Sequence, residues 1–303
     1  MRLIPEETTK AATRLEFLAH NKIEGFINGK HSSPNKGSSV EFAEHRIYTS
    51  GDDTKKIDWK VYAKNDRYYV KEYQEETNLN TTIIVDASGS MAYKGELSAA
   101  INGKSVSKFE YAQYLASALA YLLIKQQDAV GLVTFDSKVR TFIPPKNSPA
   151  QIRQILKTLH NCCAQKETNI AEVFNEIAKR IYHRGVVIII SDLFDDPDKI
   201  VNAIHSFGYR KHEVILFHLM AEEELTFPFK TFSEFQDLED PEHNIDVDPK
   251  AIKAIYLEKV RDFICKIEKG CHHIKGDYVP VSTKEDFTEV LSNYLLKVRR
   301  GRT

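Results

Sequence analysis

Asp86, Ser88 and Ser90 stand at alternate positions directly after the apolar run Ile83-Ile84-Val85. One carboxylate and two hydroxyls are hard oxygen donors, the kind that Mg²⁺, Mn²⁺ or Ca²⁺ prefers. Ala87 and Gly89 between them are small, so three short side chains can converge on one point. A second apolar run, Val186 to Ile190, ends in Ser191-Asp192. If both runs are parallel strands of one sheet, Asp86 and Asp192 arrive at the same carboxyl edge, where open α/β sheets bind ligands. Asp192 is therefore read as a fourth donor. The competing reading makes Asp192 a turn or capping residue and gives the ion to Asp195 or Asp196. Asp136 is read as a hairpin-turn residue, with a supporting acid as the alternative.

The elements that must hold these donors follow from hydrophobic period. From Asn78 to Met220 short apolar runs alternate with amphipathic ones. Strands are expected at 82–85, 129–135, 139–143, 186–190 and 214–219, and helices at 109–125, 149–160, 170–182 and 197–207. Strand–helix alternation predicts an α/β three-layer sandwich: a mainly parallel sheet, one antiparallel edge strand beside the turn at Asp136, and helices on both faces. Before this window an amphipathic helix is expected over Glu6–Ala19, then a polar loop from Asn28 to Ser39, then a charged, aromatic-rich stretch to Glu76. After it come extended structure at 226–240, a long helix at 249–269, an irregular or strand-like 273–283 and a last helix at 285–299. Three regions result: a 1–77 accessory segment, the 78–220 domain, and a 221–303 segment expected to pack with the first. Neither flank has enough patterned apolar sequence for a good core alone.

Composition sets outer limits. The chain has 303 residues, 42% hydrophobic and 28% charged, with a formal net charge of −1. That balance gives no basis for nucleic-acid or anionic-membrane binding. No run of membrane-spanning length and no signal-peptide core is present, so a cytoplasmic protein without direct membrane insertion is expected. Cys162, Cys163, Cys265 and Cys271 lack paired-ligand spacing and read as free thiols; a zinc site at Cys265, Cys271, His272 and His273 is the weaker alternative.

A second dense segment runs from Gly51 to Lys60 (GDDTKKIDWK). Gly51 with two Asp reads as a turn, Asp58 as the cap of a helix starting at Trp59, and Trp59, the single tryptophan, as a packing anchor. A partner-docking or acid/base role is the alternative. In one order the chain carries Ser39-Val40-Glu41-Phe42, Arg46-Ile47-Tyr48, GDDTKKIDWKVYAKNDRYYVK and DASGSM, then Phe235 to Glu239, Asp248-Pro249, Tyr256 and a closing 291–299 helix. DASGSM resembles the metal-ion-dependent adhesion site of von Willebrand factor A domains. The whole set resembles the MoxR-associated family with a von Willebrand A-like domain, the fifty-eighth domain of unknown function. Larger members of that family carry membrane helices; this chain resembles the short soluble type. Where the family usually has Arg, this chain has Lys55 or Lys56 and Lys64, which keep charge and lose bidentate geometry.

The resemblance implies a function that the residues alone do not. Thr168, in the loop before the helix at Ile170, matches the threonine that completes such sites; capping that helix is its other reading. The implied ligand set is Asp86, Ser88, Ser90, Thr168 and Asp192, with a carboxylate from a partner completing the shell. The implied role is non-enzymatic: a metal-dependent interaction module that partners a MoxR-type AAA+ ATPase in maturing or regulating client proteins. A Mg²⁺-dependent hydrolase using the same donors and a metal-free scaffold are the alternatives. Against the hydrolase, no P-loop occurs, and no His or Lys adjoins Ser88 or Ser90 in sequence to act as base.

Overall fold

The computed structural model describes residues 40–49, 57–65, 67–75, 79–101, 104–164, 169–229, 233–236 and 244–300. The expected N-terminal helix, the Asn28–Ser39 loop, Gly51–Lys56 and Thr168 lie outside them. The chain divides into two compact units, one covering 26–78 and the other holding everything from Leu79 onward.

In the smaller unit β1 (Val40–Ile47) pairs antiparallel with β2 (Tyr69–Glu75), with a bulge between Phe42 and Glu44. Between them lies α1 (Trp59–Asn65). Asp58 caps it as expected: its Oδ1 accepts the Lys60 amide at 2.9 Å and the Val61 amide at 3.3 Å. Trp59 is not a packing anchor. It is 59% exposed, edge-on to Tyr62 and Tyr68. Among the described residues the buried apolar pair here is Ile57 and Val70, joined by an antiparallel bridge; as the first residue of its helix, Trp59 falls outside that contact.

The larger unit begins with β3 (Asn80–Asp86), a two-residue hairpin of β4 (Ala100–Ile101) and β5 (Lys104–Ser105), and α2 (Lys108–Lys125). β6 (Ala129–Phe135), β7 (Val139–Lys146), α3 (Pro149–Asn161), α4 (Ile170–Arg180) and β8 (Val186–Ser191) follow. Then come α5 (Pro197–Tyr209), β9 (Glu213–Met220) and α6 (Glu222–Thr226). β10 (Ser233–Gln236) pairs with β11 (Asn244–Val247), and α7 (Pro249–His273), β12 (Asp277–Ser282) and α8 (Phe287–Arg300) close the chain. Six strands form one sheet in the order β12-β9-β8-β3-β6-β7, with only β7 antiparallel. Helices α2, α3 and α8 cover one face; α4, α5 and α7 cover the other. This is the expected three-layer α/β sandwich, a mainly parallel sheet with one antiparallel edge strand and helices on both faces.

The central strands β3 and β8 are buried along nearly their whole length because helices lie on both faces, which is why they read as continuous apolar runs. Helix α4 shows how pattern becomes packing. Its buried residues Ile170, Val173, Phe174, Ile177 and Ala178 repeat at helical spacing and face Phe135 and Phe207. Burying each large one stabilises the layer by about 1.5–3 kcal/mol. Gly185 lets β8 start beside β3, because a Cβ there would strike the Asn80 carbonyl. Both sheet edges carry proline: Pro144 and Pro145 in β7, Pro280 in β12.

The sandwich does not end at Met220. Tyr278 to Ser282 run parallel to β9 as its outer neighbour, and α7 packs on α5 through Gly270 against Val201. β12 buries Tyr278 on one face of the sheet and Val281 on the other, with exposed Pro280 between them, so no regular two-residue repeat stands out in sequence. Expression of residues 79–220 alone therefore strips β12 and two covering helices from the sheet. That fragment should be aggregation-prone, with unfolding less cooperative than in the full chain; a soluble fragment with a sharp, full-chain urea midpoint would contradict this.

Candidate functional site

β3 and β8 are neighbours in register, Val85 beside Ile190, so Asp86 and the Ser191-Asp192 pair leave the sheet side by side. Asp86 is fully buried. Its Oδ1 accepts the Ser88 amide at 2.9 Å, and its Oδ2 accepts the Ser191 hydroxyl at 2.5 Å. Ser88 Oγ and Ser90 Oγ lie 3.0 Å apart. The loop thus gathers the carboxylate and both hydroxyls, as their spacing predicted. Ser191, which also accepts the Leu193 amide at 2.8 Å, locks one strand end to the other.

Asp192 has a partner that sequence reading missed. Its Oδ2 accepts from Lys108 Nζ at 2.7 Å, and the same ammonium reaches Glu224 Oε1 at 2.7 Å. Lys108 is 2% exposed on the first turn of α2, which Ser107 and Glu110 close with a reciprocal capping box. Burial disfavours the ammonium, but Asp192 and then Glu224 outweigh it and hold the group above its ordinary value. A charged residue opening an apolar helix was the available sign; what it pairs with lay more than eighty positions away.

The acids that competed with Asp192 have other work. Asp196 caps α5 through the Asp198 and Lys199 amides. Asp195 accepts the Ile170 amide at 3.2 Å and so ties the start of α4 to this loop. Asn169 is the side-chain cap of α4, the role weighed for Thr168. Asp136 is a hairpin residue, bonded to the Lys138 amide and to Arg140. Cys162, Cys163, Cys265 and Cys271 are free thiols, and Cys271 is buried in the core. Among the described residues no group of three or more His, Cys, Asp or Glu side chains is placed to hold a metal ion. The loop here offers two carboxylates and two hydroxyls, a donor set that suits a hard cation retaining several waters.

Behind Asp192 sits a polar pair. His218 Nε2 lies 3.1 Å from the Asp192 carbonyl, and its Nδ1 2.7 Å from Tyr278 Oη. Burial pushes the His218 imidazole down to about 4, so it is neutral near pH 7. A carbonyl only accepts, so Nε2 carries the proton and Nδ1 accepts from the tyrosine. The edge strand β12 is thereby bonded to the backbone of the site. Tyr278→Phe should leave a buried acceptor unpaired and cost about 1–3 kcal/mol in urea unfolding, with far-UV dichroism unchanged; an unchanged midpoint would show that the bond does not support this loop.

Burial, and after it the nearby Asp192 charge, push Asp86 up from 3.8 to about 7, against hydrogen bonds from Ser191 and Ser88 that pull it down. The fold therefore favours the protonated form when no cation is present. This contribution is complete below about pH 3.8 and is lost as pH rises towards about 7. The stability of chelator-treated protein should fall across that window by a component that Asp86→Asn removes. Parallel pH profiles for the two proteins would refute the assignment.

A sequence model of the family described as "Protein of unknown function DUF58" matches residues 44–263. An uncharacterized protein of Mycobacterium bovis is 23% identical over 305 residues, spanning 98% of this chain and 92% of its own length. A counterpart in Mycobacterium tuberculosis matches to the same extent. Among solved structures, the conserved hypothetical protein BatB from Bacteroides thetaiotaomicron is 19% identical. It covers 72% of this chain and 99% of its own, with a TM-score of 0.45. A von Willebrand factor type A protein from Catenulispora acidiphila is 11% identical, covers 75% of this chain and 43% of its own, and has a TM-score of 0.41. No helix among the described residues is long and apolar enough to cross a membrane.

Proposed function

We propose that this chain, which belongs to the DUF58 family, is a metal-dependent protein-interaction module. The observation that carries the reading is the convergence of Asp86, Ser88 and Ser90 beside Asp192 at the carboxyl edge of two adjacent parallel strands. With Asp86, Asp192, Glu224 and Lys108 all ionised, the cluster, in which Glu224 is half-buried and the other three are buried, holds two units of excess negative charge. A divalent cation cancels that excess, and like charges this close in a dry site call for such compensation. Mg²⁺, Mn²⁺ or Ca²⁺ would be held by Asp86, Ser88 and Ser90, with Asp192 contributing charge. Thr168, two residues before the anchored Ile170, is the fifth donor of the proposal. A partner's Asp or Glu supplies the last ligand.

The module is proposed to bind rather than catalyse. Ser88 and Ser90 face each other, and the nearby His218 is spent on the Asp192 carbonyl and Tyr278. Its proposed partner is a MoxR-type AAA+ ATPase acting on client proteins, a role that rests on the family resemblance.

One observation favours a second reading. Lys108 already neutralises Asp192, so the ammonium can serve as the permanent cation of a metal-free scaffold. Calorimetric titration with Mg²⁺ and Mn²⁺ separates the two. Wild type should bind weakly, in the range of carboxylate-poor sites, Asp86→Ala should lose binding, and Ser88→Ala should weaken it less, since water can replace a neutral hydroxyl. Equal affinity in wild type and Asp86→Ala, or none in either, would leave the scaffold reading.

A further inference from the structure

Next to the candidate cation site lies a cavity of about 400 Å³ with a mostly apolar wall. Its lining includes Phe194, Met220, Val260 and Phe263, with Lys108 and Asp192 where it meets the cation site and Lys259 among the groups around it. It is formed between the end of β9, the Asp192–Asp195 loop and the outer half of α7. Phe194 is 65% exposed, an unusual position for a large apolar side chain two residues from a buried acid.

Two features identify what the cavity takes. The first is continuity. Asp86 and Ser88 are sealed, whereas Ser90 and Asp192 retain 8% and 6% exposure. A group that reaches the cation therefore comes in past Ser90 and Asp192, and Asp192 is also a wall of the cavity. The second is charge. The three acids of the lining are engaged: Asp192 with Lys108 and the Phe194 amide, Asp195 with the Ile170 and Asp196 amides, Glu224 with Lys108 and the Ala221 amide. Lys259 is exposed and has no charged partner among the described residues. The uncommitted charge at this cavity is positive.

Resting on the cation reading above, we infer that the cavity is the second half of one docking site, which takes a partner-protein segment carrying an acidic residue and, a few positions away, a large apolar one. The carboxylate goes to the cation, and the apolar side chain enters between Phe194, Val260 and Phe263. Lys259 faces the acidic segment as it docks. The division of labour is the usual one: the charge sets orientation, the buried apolar group supplies affinity.

The test uses the full chain and three fluorescently labelled, capped glycine-spaced pentapeptides carrying Glu and Phe, Gln and Phe, or Glu and Ser. Anisotropy is read in MgCl₂ and in chelator. In Mg²⁺ the Glu–Phe peptide should bind about tenfold tighter than either control, the scale expected for burying one aromatic side chain. Val260→Gln, and Val260→Trp, which fills the cavity, should erase the Phe advantage without changing Mg²⁺ affinity or the binding of the Glu–Ser peptide. Equal binding of the Glu–Phe and Glu–Ser peptides in Mg²⁺ overturns the cavity's role and leaves the cation reading standing. A Phe advantage that persists in chelator and in Asp86→Ala overturns the joint site, and Mg²⁺ titration of the same two proteins decides the cation reading separately.

Discussion

Two carboxylates leave adjacent parallel strands side by side in a place that water barely reaches, and the surroundings are organised by the need to tolerate them. Parallel pairing of β3 and β8 makes the meeting unavoidable, because register sets Asp86 and Asp192 at one edge. The responses come from every direction. Ser191 ties the strand ends together, Ser88 turns its amide back onto Asp86, Lys108 arrives from the start of α2, and Glu224 shares that ammonium from α6. Removing one member of such a set exposes the desolvation cost of the rest, so a buried pair like Lys108–Asp192 is easier to break than to credit with stability.

The carbonyl of Asp192 is held as firmly as its carboxylate. His218 reaches it from β9, Tyr278 of β12 bonds the other ring nitrogen of His218, and the proton positions are fixed because a carbonyl cannot donate. The last strand of the sheet thus takes part in shaping a loop that begins at the end of its fourth strand in sequence order. This is a physical reason for the chain after Met220 to belong to the same sandwich: without β12 the pair behind Asp192 has no second member.

What a reader of the sequence can extract follows from the range of each interaction. The donors Asp86, Ser88 and Ser90 are neighbours in the chain, and the buried strands that present them announce themselves as apolar runs. The cap at Asp58 is equally local. Lys108, Glu224 and His218 are not recoverable in that way. Each looks like an ordinary residue of its own element, and its role appears only when residues 26 to 116 positions apart meet. Trp59 misleads for the opposite reason. A lone tryptophan suggests a core, yet the first position of a short helix points its ring outward. The edge strand β12 is legible only as an irregular or strand-like 273–283, because its buried residues Tyr278 and Val281 lie on opposite faces and a proline stands between them.

The prolines at the two rims of the sheet have a consequence for assembly. A strand that offers a full row of amide protons invites another chain to extend the sheet, and unprotected edges are a common route to open-ended association. The Pro144-Pro145 pair on one rim and Pro280 on the other interrupt the rows of amide protons that such an added strand would need. Growth by sheet continuation is thereby discouraged at both ends. A sheet built this way is closed to continuation by other chains, which leaves loops and helices as the surfaces it can offer.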